Sequence, residues 1–424
     1  MRVGIVGAGA SGMMAAVTAA EHGAEVVLIE KNERVGKKIL STGNGKCNIG
    51  NLDFQMEHYY CDDKEKLSDM FSLFSVWDLL SFFESKGMMV RDKNGYLYPY
   101  SEQASTVLDF FRRLLAKEKV EIISETEIRE ASFDEESGKF LVKGENKCYQ
   151  FDRLILSCGG PAAQKKGMGM SGFSMAESFG HTITKVVPGL VQLRSEESFL
   201  KITAGVRAQA KAKLLIEDEI CAEEKGEVQF TEYGVSGIPI FQFSRMASYA
   251  LADKKEVKVV LNLFPEYEDT HFWYSMRLRY ETMQENTLEE FLTGTVNKKI
   301  NTAMIKKCAL KPDVAIKSLS YEKVKELLMQ YRELTIHISA VNGMENAQVC
   351  AGGVKFSEIS TEAESVKRPG LFLTGELVDV DGKCGGYNLQ WAFTSGYIAG
   401  RNAAGDATGA LLKAAKEEKL KCLE

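Results

Sequence analysis

The first thirty residues, MRVGIVGAGASGMMAAVTAAEHGAEVVLIE, constrain the fold more than any other stretch of the chain. Arg2–Val6 is an apolar, β-branched run closed by Gly7, which predicts a short buried strand. Gly7, Gly9 and Gly12 then form G-x-G-x-x-G ahead of a helical run, Ala10–His22, in which Met13, Met14, Val17 and Ala20 recur at helical spacing. Gly23 stops that helix, and Glu25–Ile29 reads as a second buried strand ending at Glu30. Each part has a physical task. Gly7 permits the tight turn, Gly9 lets the amides near Ala10 and Ser11 approach a pyrophosphate, and Gly12 lets helix pack on strand. The helix N-terminus adds partial positive charge. Glu30 stands 18 residues beyond Gly12, where a carboxylate accepts hydrogen bonds from a ribose, with Lys31 beside it. The expectation is a dinucleotide site.

The stretch after Glu30 extends that site. Lys37 and Lys38 can meet phosphate charge, and Ser41-Thr42-Gly43-Asn44-Gly45 is a flexible, donor-rich loop. Cys47, Asn48 and Asn51 follow it, the asparagines adding fixed amide groups. Near the other end, Leu371–Thr374 reads as a buried strand ended by Gly375-Glu376, with Asp379 and Asp381 in a turn. Gly385-Gly386 then open a helix from about Asn388 to Ala404.

Between these blocks, Lys64–Phe74 and Val76–Ser85 read as helices whose Phe71, Phe74, Trp77, Phe82 and Phe83 belong to a core. Gly95–Tyr100 reads as a strand, and Ser101 or Ser105 begins a helix with the apolar stripe Val107, Leu108, Phe111, Leu114 and Leu115. Val120–Ile123 is the next strand, Glu130–Cys158 an antiparallel meander, and Arg153–Ser157 re-enters the main sheet before Cys158-Gly159-Gly160. Ser171 is a plausible cap for a helix within Gly167–Gly180. Period-two runs over Pro188–Leu263 suggest a small β-barrel, Glu266–Tyr331 is mostly helical, and Leu334–Val341 leads back towards the first fold.

Composition narrows the class. A chain of 424 residues accommodates two or three domains, and a net charge of −6 argues against a broad nucleic-acid or anionic-membrane footprint. No apolar run approaches the roughly 18–20 residues of a membrane span, and the N-terminus lacks a signal-peptide pattern. The 9 cysteines form no C-x-x-C pair and the 5 histidines are dispersed, so a metal centre is not expected and reduced thiols point to the cytoplasm.

GAGASG, the acid at Glu30, VGKKILSTGNGKCNIGN and GELVDVDGKCGGYNLQWA together resemble the BaiN-like NAD(P)/FAD-dependent oxidoreductases, also described as aminoacetone-oxidase-type FAD-binding enzymes. Thr42 interrupts the family's usual S-G-x-G run, and Glu232 and Tyr233 depart from its F-T-H-x-G pattern at Phe230–Gly237. The resemblance implies an α/β fold: a Rossmann-like FAD-binding domain of glutathione-reductase type, interrupted by a β-barrel plus helical insert that covers the flavin. Residues 1–188 and 346–404 would form the FAD domain, 189–345 the insert (barrel 189–265, helical part 266–333), and 405–424 an exposed tail. It further implies that backbone at Glu127–Ile128 holds adenine, that Gly159 and Gly160 lie by the pyrophosphate, and that Glu376 and Asp381 meet the ribityl chain. Gly386, Asn388 and Leu389 would aim a helix at the flavin ring. Cys47, Asn48, Lys383, Cys384, Tyr387, Gln390 and Trp391 would lie nearest that ring, with Tyr387 or Cys384 as candidate catalytic groups.

The function so implied is hydride transfer through flavin N5 to or from a small or medium hydrophobic molecule, with an enone-type carbon–carbon double bond as one substrate class. No second G-x-G-x-x-G follows a later strand, so NADH or NADPH would dock transiently. The alternative is a non-catalytic flavin-based redox sensor or partner-binding flavoprotein. An RNA-modifying flavoprotein is disfavoured by the acidic charge. The expected partner is a small molecule, without nucleic acid or stable membrane association; oligomeric state is left open.

Overall fold

The structure is a computed structural model that describes residues 1–145, 147–164 and 169–405. The chain divides into two compact units, Met1–Val186 together with Val349–Glu424, and Val187–Gln348.

The first unit is built on a parallel sheet. Its strands are Arg2–Val6 (β1), Glu25–Ile29 (β2), Glu121–Ile123 (β3), Arg153–Leu156 (β4) and Leu371–Leu373 (β5), in the order β3-β2-β1-β4-β5. Every pairing is parallel, with Val6 opposite both Ile29 and Leu156. Helix α1 spans Ala10–Glu21 and α2, the last helix among the described residues, spans Tyr387–Ala403. The strand order reverses between β1 and β4, and the crevice outside the carboxyl ends of such strands is where open α/β sheets take ligands. Gly7 stands there with φ +100, and a Cβ on Gly12 would come 1.9 Å from the Gly7 carbonyl oxygen. Only glycine fits this turn.

Helices α1 and α2 cross backbone to backbone. A Cβ built on Gly396 would lie 2.3 Å from Ser11 O, and one on Gly400 2.4 Å from Ala15 O. Small residues on both faces therefore bring the two ends of the chain together over the sheet.

Local details depart from the sequence expectations in three places of this unit. Trp77 is 63% exposed, because Val76, Leu79, Phe82 and Phe83 take the inward face of the helix Val76–Ser85. The helix expected from Ser101 or Ser105 starts at Ala104, with Gln103 at the cap position making no side-chain bond. Ser171 is the first residue of its helix rather than the cap, which is Met170. The start of that expected stretch, at 167–168, lies outside the described residues, as does the tail beyond 405. The meander is a three-stranded antiparallel sheet, Glu130–Asp134, Lys139–Lys143 and Cys148–Phe151.

The second unit has a seven-stranded antiparallel sheet and its own core. Its long hairpin is Arg207–Ile216 with Glu219–Thr231. One departure from expectation matters here. Ile238–Ala252 is a helix inside the stretch read as all strand, started by a proline in its first turn and burying Ile240, Phe243 and Ala247 at helical spacing. Leu334–His337 and Ala340–Val341 are the two edge strands of this sheet. The two residues between them bond to the strands next to each edge, Ile338 N to Val257 O at 2.9 Å and Ser339 N to Arg194 O at 3.0 Å. The helices Asp269–Thr282, Leu288–Leu292, Lys298–Lys307 and Tyr321–Arg332 follow the expected helical stretch.

Gly396→Ala should cost about 2 kcal/mol of stability through overpacking, against the gain of about 1 kcal/mol that alanine ordinarily brings to a helix interior. A urea midpoint equal to or above that of the native protein would contradict the close crossing.

Candidate functional site

Helix α1 begins at Gly9 without a side-chain cap. Its first intrahelical bond is Met13 N to Gly9 O at 2.9 Å, so the amides of Ala10, Ser11 and Gly12 are left for an acceptor outside the helix. A Cβ on Gly9 would meet nothing within 4 Å, so the approach is open. Beside it, Glu30 is 7% exposed. Its Oε2 accepts from Ala8 N at 2.9 Å, and its Oε1 from Asn32 N at 2.9 Å and Asn32 Nδ2 at 2.5 Å. A carboxylate has lone pairs beyond these three. The backbone of Glu125 and Thr126 bonds to Asn32 O and Glu30 O, which sets buried Ile128 two residues further along the same segment. Lys31 points elsewhere, to Gln164 Oε1 at 2.6 Å.

A second uncapped helix start lies at the other end of the chain. Gly385 and Gly386 hold φ +138 and +97, and α2 makes its first bond from Gln390 N to Gly386 O at 3.0 Å. The amides of Tyr387, Asn388 and Leu389 thus precede the helical ladder, with no side-chain cap over them. A Cβ on Gly386 would fall 2.5 Å from Asn48 Oδ1, and that buried oxygen has no hydrogen-bond partner among the described residues. A buried acceptor without a donor, beside a free helix N-terminus, suits a ligand that brings both an acceptor and a donor edge. The residues fit a flavin dinucleotide.

The loop expected after Glu30 is a pair of tight turns, Lys37–Gly45, broken at Thr42 and with Gly43 and Asn44 at φ +55 and +53. Ser41 Oγ donates to Lys38 O within the loop, and Ser41, Asn44 and Lys37 are exposed. Lys38 reaches across to Glu376 Oε2 at 2.6 Å. Glu376 Oε2 also accepts from Gly160 N at 3.2 Å, and its Oε1 from Cys350 N at 2.8 Å. One carboxylate therefore gathers the Lys38 loop, the Gly159-Gly160 turn and the segment before Gly352. Gly375, at φ +63, lies over the first turn of α1, its built Cβ 2.7 Å from Ser11 Oγ.

Several expected roles change. The Tyr387 hydroxyl donates to Asp53 O at 3.0 Å, and burial pushes its pKa up. Asn388 spends its amide on the turn before it, Oδ1 accepting from Gly382 N at 2.9 Å and Nδ2 donating to Gly382 O at 2.8 Å. Gln390 and Trp391 face the core, Gln390 Oε1 accepting from Asn51 N at 3.0 Å and Trp391 Nε1 donating to Gly375 O at 3.1 Å. Asp381 is paired with Tyr60 in a two-residue strand rather than sitting in an open turn. Leu389 is half-buried. Neither the Lys38–Glu376 pair nor the tyrosines of Tyr96–Pro99 stood out in the sequence. The first needs the fold, but the second had a signal in the alternating Y-L-Y-P run.

Burial acts on the thiols nearest the site. Burial pushes Cys47 up to about 11 and Cys158 up to about 12, and raises Cys350 and Cys384 as well. A thiol without thiolate character makes a poor redox centre. Among the described residues no group of three or more His, Cys, Asp or Glu is placed to hold a metal ion, and no helix is long and apolar enough to cross a membrane. Iodoacetamide at neutral pH should label exposed Cys148 and Cys221 and leave Cys47, Cys158 and Cys350 unmodified in the folded protein. Rapid labelling of Cys47, read by peptide mass spectrometry, would overturn this account of the thiols.

The family model described as HI0933-like protein Rossmann domain matches residues 1–402. The 3-dehydro-bile acid delta(4,6)-reductase of Clostridium scindens is 39% identical over 406 residues, covering 95% of this chain and 99% of that protein. The ribosomal RNA dihydrouridine synthase of Escherichia coli K12 is 26% identical over 405 residues, covering 94% and 96%. Among solved structures, 3-ketosteroid-delta4-(5alpha)-dehydrogenase from Rhodococcus jostii RHA1 aligns at 13% identity over 95% of this chain and 96% of that one, with a TM-score of 0.48. The match along nearly the whole chain, on a sheet and glycine turns of the expected kind, places the protein in the HI0933-like Rossmann family, the BaiN-like FAD-dependent oxidoreductases.

Proposed function

We propose that this protein is an FAD-dependent reductase of a carbon–carbon double bond conjugated to a ring ketone, in a steroid-like substrate, with NADH or NADPH as a transient donor. The observation that carries this reading is the full-length relation, at 39% identity, to a reductase of 3-dehydro-bile acids. The geometry supports it with two open helix N-termini, a ribose-ready carboxylate at Glu30 and a waiting acceptor at Asn48.

In this reading the cofactor, when bound, supplies the hydride, and the chain supplies position and charge. The amides of Ala10, Ser11 and Gly12 bind the pyrophosphate. Glu30 accepts from the adenosine ribose, and backbone near Ile128 holds the adenine. Glu376 keeps the Gly160 turn and the Lys38 loop in register, with Lys38 neutralising its charge. The amides at Tyr387, Asn388 and Leu389, reinforced by the dipole of α2, favour negative charge at the ring edge they face. Asn48 Oδ1 receives a donor from the ring.

A second reading has its own support. Relatives at 26% identity are ribosomal RNA dihydrouridine synthases, and Lys298–Lys325 carries 8 lysines against 2 acidic residues. The chemistry is of one kind, since uracil also presents a double bond conjugated to a carbonyl. The acidic net charge of −6 weighs towards the small substrate.

Incubation of the holoprotein with NADH or NADPH and either a 3-oxo-4-ene bile acid or ribosomal RNA separates the two. Mass spectrometry should show the ketone gaining two hydrogens with many turnovers and the RNA unchanged. Reduction of uridine alone would overturn the proposal.

A further inference from the structure

Resting on the ketone reading above, the strand Tyr96–Pro99 carries a further inference. It pairs on one side with Gly50–Asn51, which begins two residues after Asn48, and on the other with Val90–Lys93. Alternation along a strand divides its side chains between two faces. Leu97, 2% exposed, and buried Pro99 take the core face, and Tyr96 and Tyr98 take the other.

That tyrosine face is turned towards both motif loops. A Cβ built on Gly43 would lie 3.9 Å from Tyr98 Cε1, and one on Gly385 would lie 3.1 Å from Tyr96 Cε1. Asn51 Nδ2 ties the strand region to the same turn, donating to Gly385 O at 2.9 Å. The Cys384 thiol is near enough to Tyr98 to act on its ionisation. Tyr98 therefore stands between the loop that carries Asn48 and the turn that opens α2.

Of the nearby hydroxyls, that of Tyr96 lies on an exposed residue, and the others are committed or sealed. Tyr387 donates to Asp53 O, Ser41 to Lys38 O and Thr42 to Ile39 O. Tyr59 is fully buried. Tyr98 is half-buried, and no hydrogen bond to its hydroxyl occurs among the described residues. Burial keeps that hydroxyl protonated, as a donor must be.

We propose that Tyr98 is the group that binds the substrate's ketone oxygen, its hydroxyl donating a hydrogen bond to that oxygen. Hydride arriving at the β-carbon of a conjugated ketone drives negative charge onto the carbonyl oxygen, and a preset donor stabilises it. Removal of one such donor elsewhere costs roughly 10²–10³ in turnover. Tyr98 gives up no proton in this role: the cofactor's hydride goes to the β-carbon, and the proton that completes the reduction reaches the α-carbon from solvent water.

Tyr98→Phe keeps the ring and its packing and removes only the donor. The probe is a 3-oxo-4-ene steroid labelled with carbon-13 at its ring ketone, bound to oxidised holoprotein and read by NMR. The native protein and Tyr96→Phe should move the carbonyl resonance downfield, and Tyr98→Phe should leave it near its solution position. Reduction by Tyr98→Phe should slow about a hundredfold, with flavin content and absorbance unchanged. The same downfield shift in Tyr98→Phe, or its loss in Tyr96→Phe instead, would overturn the assignment while leaving the ketone reading intact. A native holoprotein that neither binds nor reduces the labelled ketone would remove both.

Discussion

The near-contact of two helix backbones carries the rest of this molecule. Ser11 and Ala15 of α1 meet Gly396 and Gly400 of α2 with no room for another methyl group. That crossing fixes where the C-terminal glycine turn stands relative to the N-terminal one, and it sets Gly375 against Ser11. Two uncapped helix starts, far apart in the chain, then belong to one unit. Close packing of this kind is intolerant of small shifts, so the geometry of the site is inherited from the core beneath it.

The charged groups of the site are fewer than its sequence suggests, and each is tied. Glu30 holds the turn at Ala8 and the chain at Asn32 while keeping lone pairs for a ligand. Glu376 and Lys38 neutralise one another across three segments.

How much could be read from the amino-acid order depended on how local the determinant was. The unit β1–turn–α1–β2 was legible residue by residue, because its glycines, helix period and terminal acid lie within thirty positions. The helix Ile238–Ala252 was hidden in a run of short alternating strands, although the proline of its first turn and the spacing of Ile240, Phe243 and Ala247 announced it. The edge strands at 334–341 could not be assigned, since their partners at 257–261 and 193–194 are set by long-range pairing. Side-chain roles were the least legible. Asn388 and Tyr387 fell in the motif that resembled a flavin site, yet their polar groups satisfy neighbouring backbone. Trp77 looked like core by composition and is exposed by helical phase.

The proposed function requires a flavin bound by this chain and reoxidised by a conjugated ketone. The most direct measurement is the absorption spectrum of the purified holoprotein, reduced anaerobically and then mixed with one equivalent of a 3-oxo-4-ene steroid. The account predicts that the bleached flavin regains its oxidised spectrum in step with loss of the enone. A reduced flavin that persists in the presence of the ketone, or a protein that binds no flavin, would contradict it.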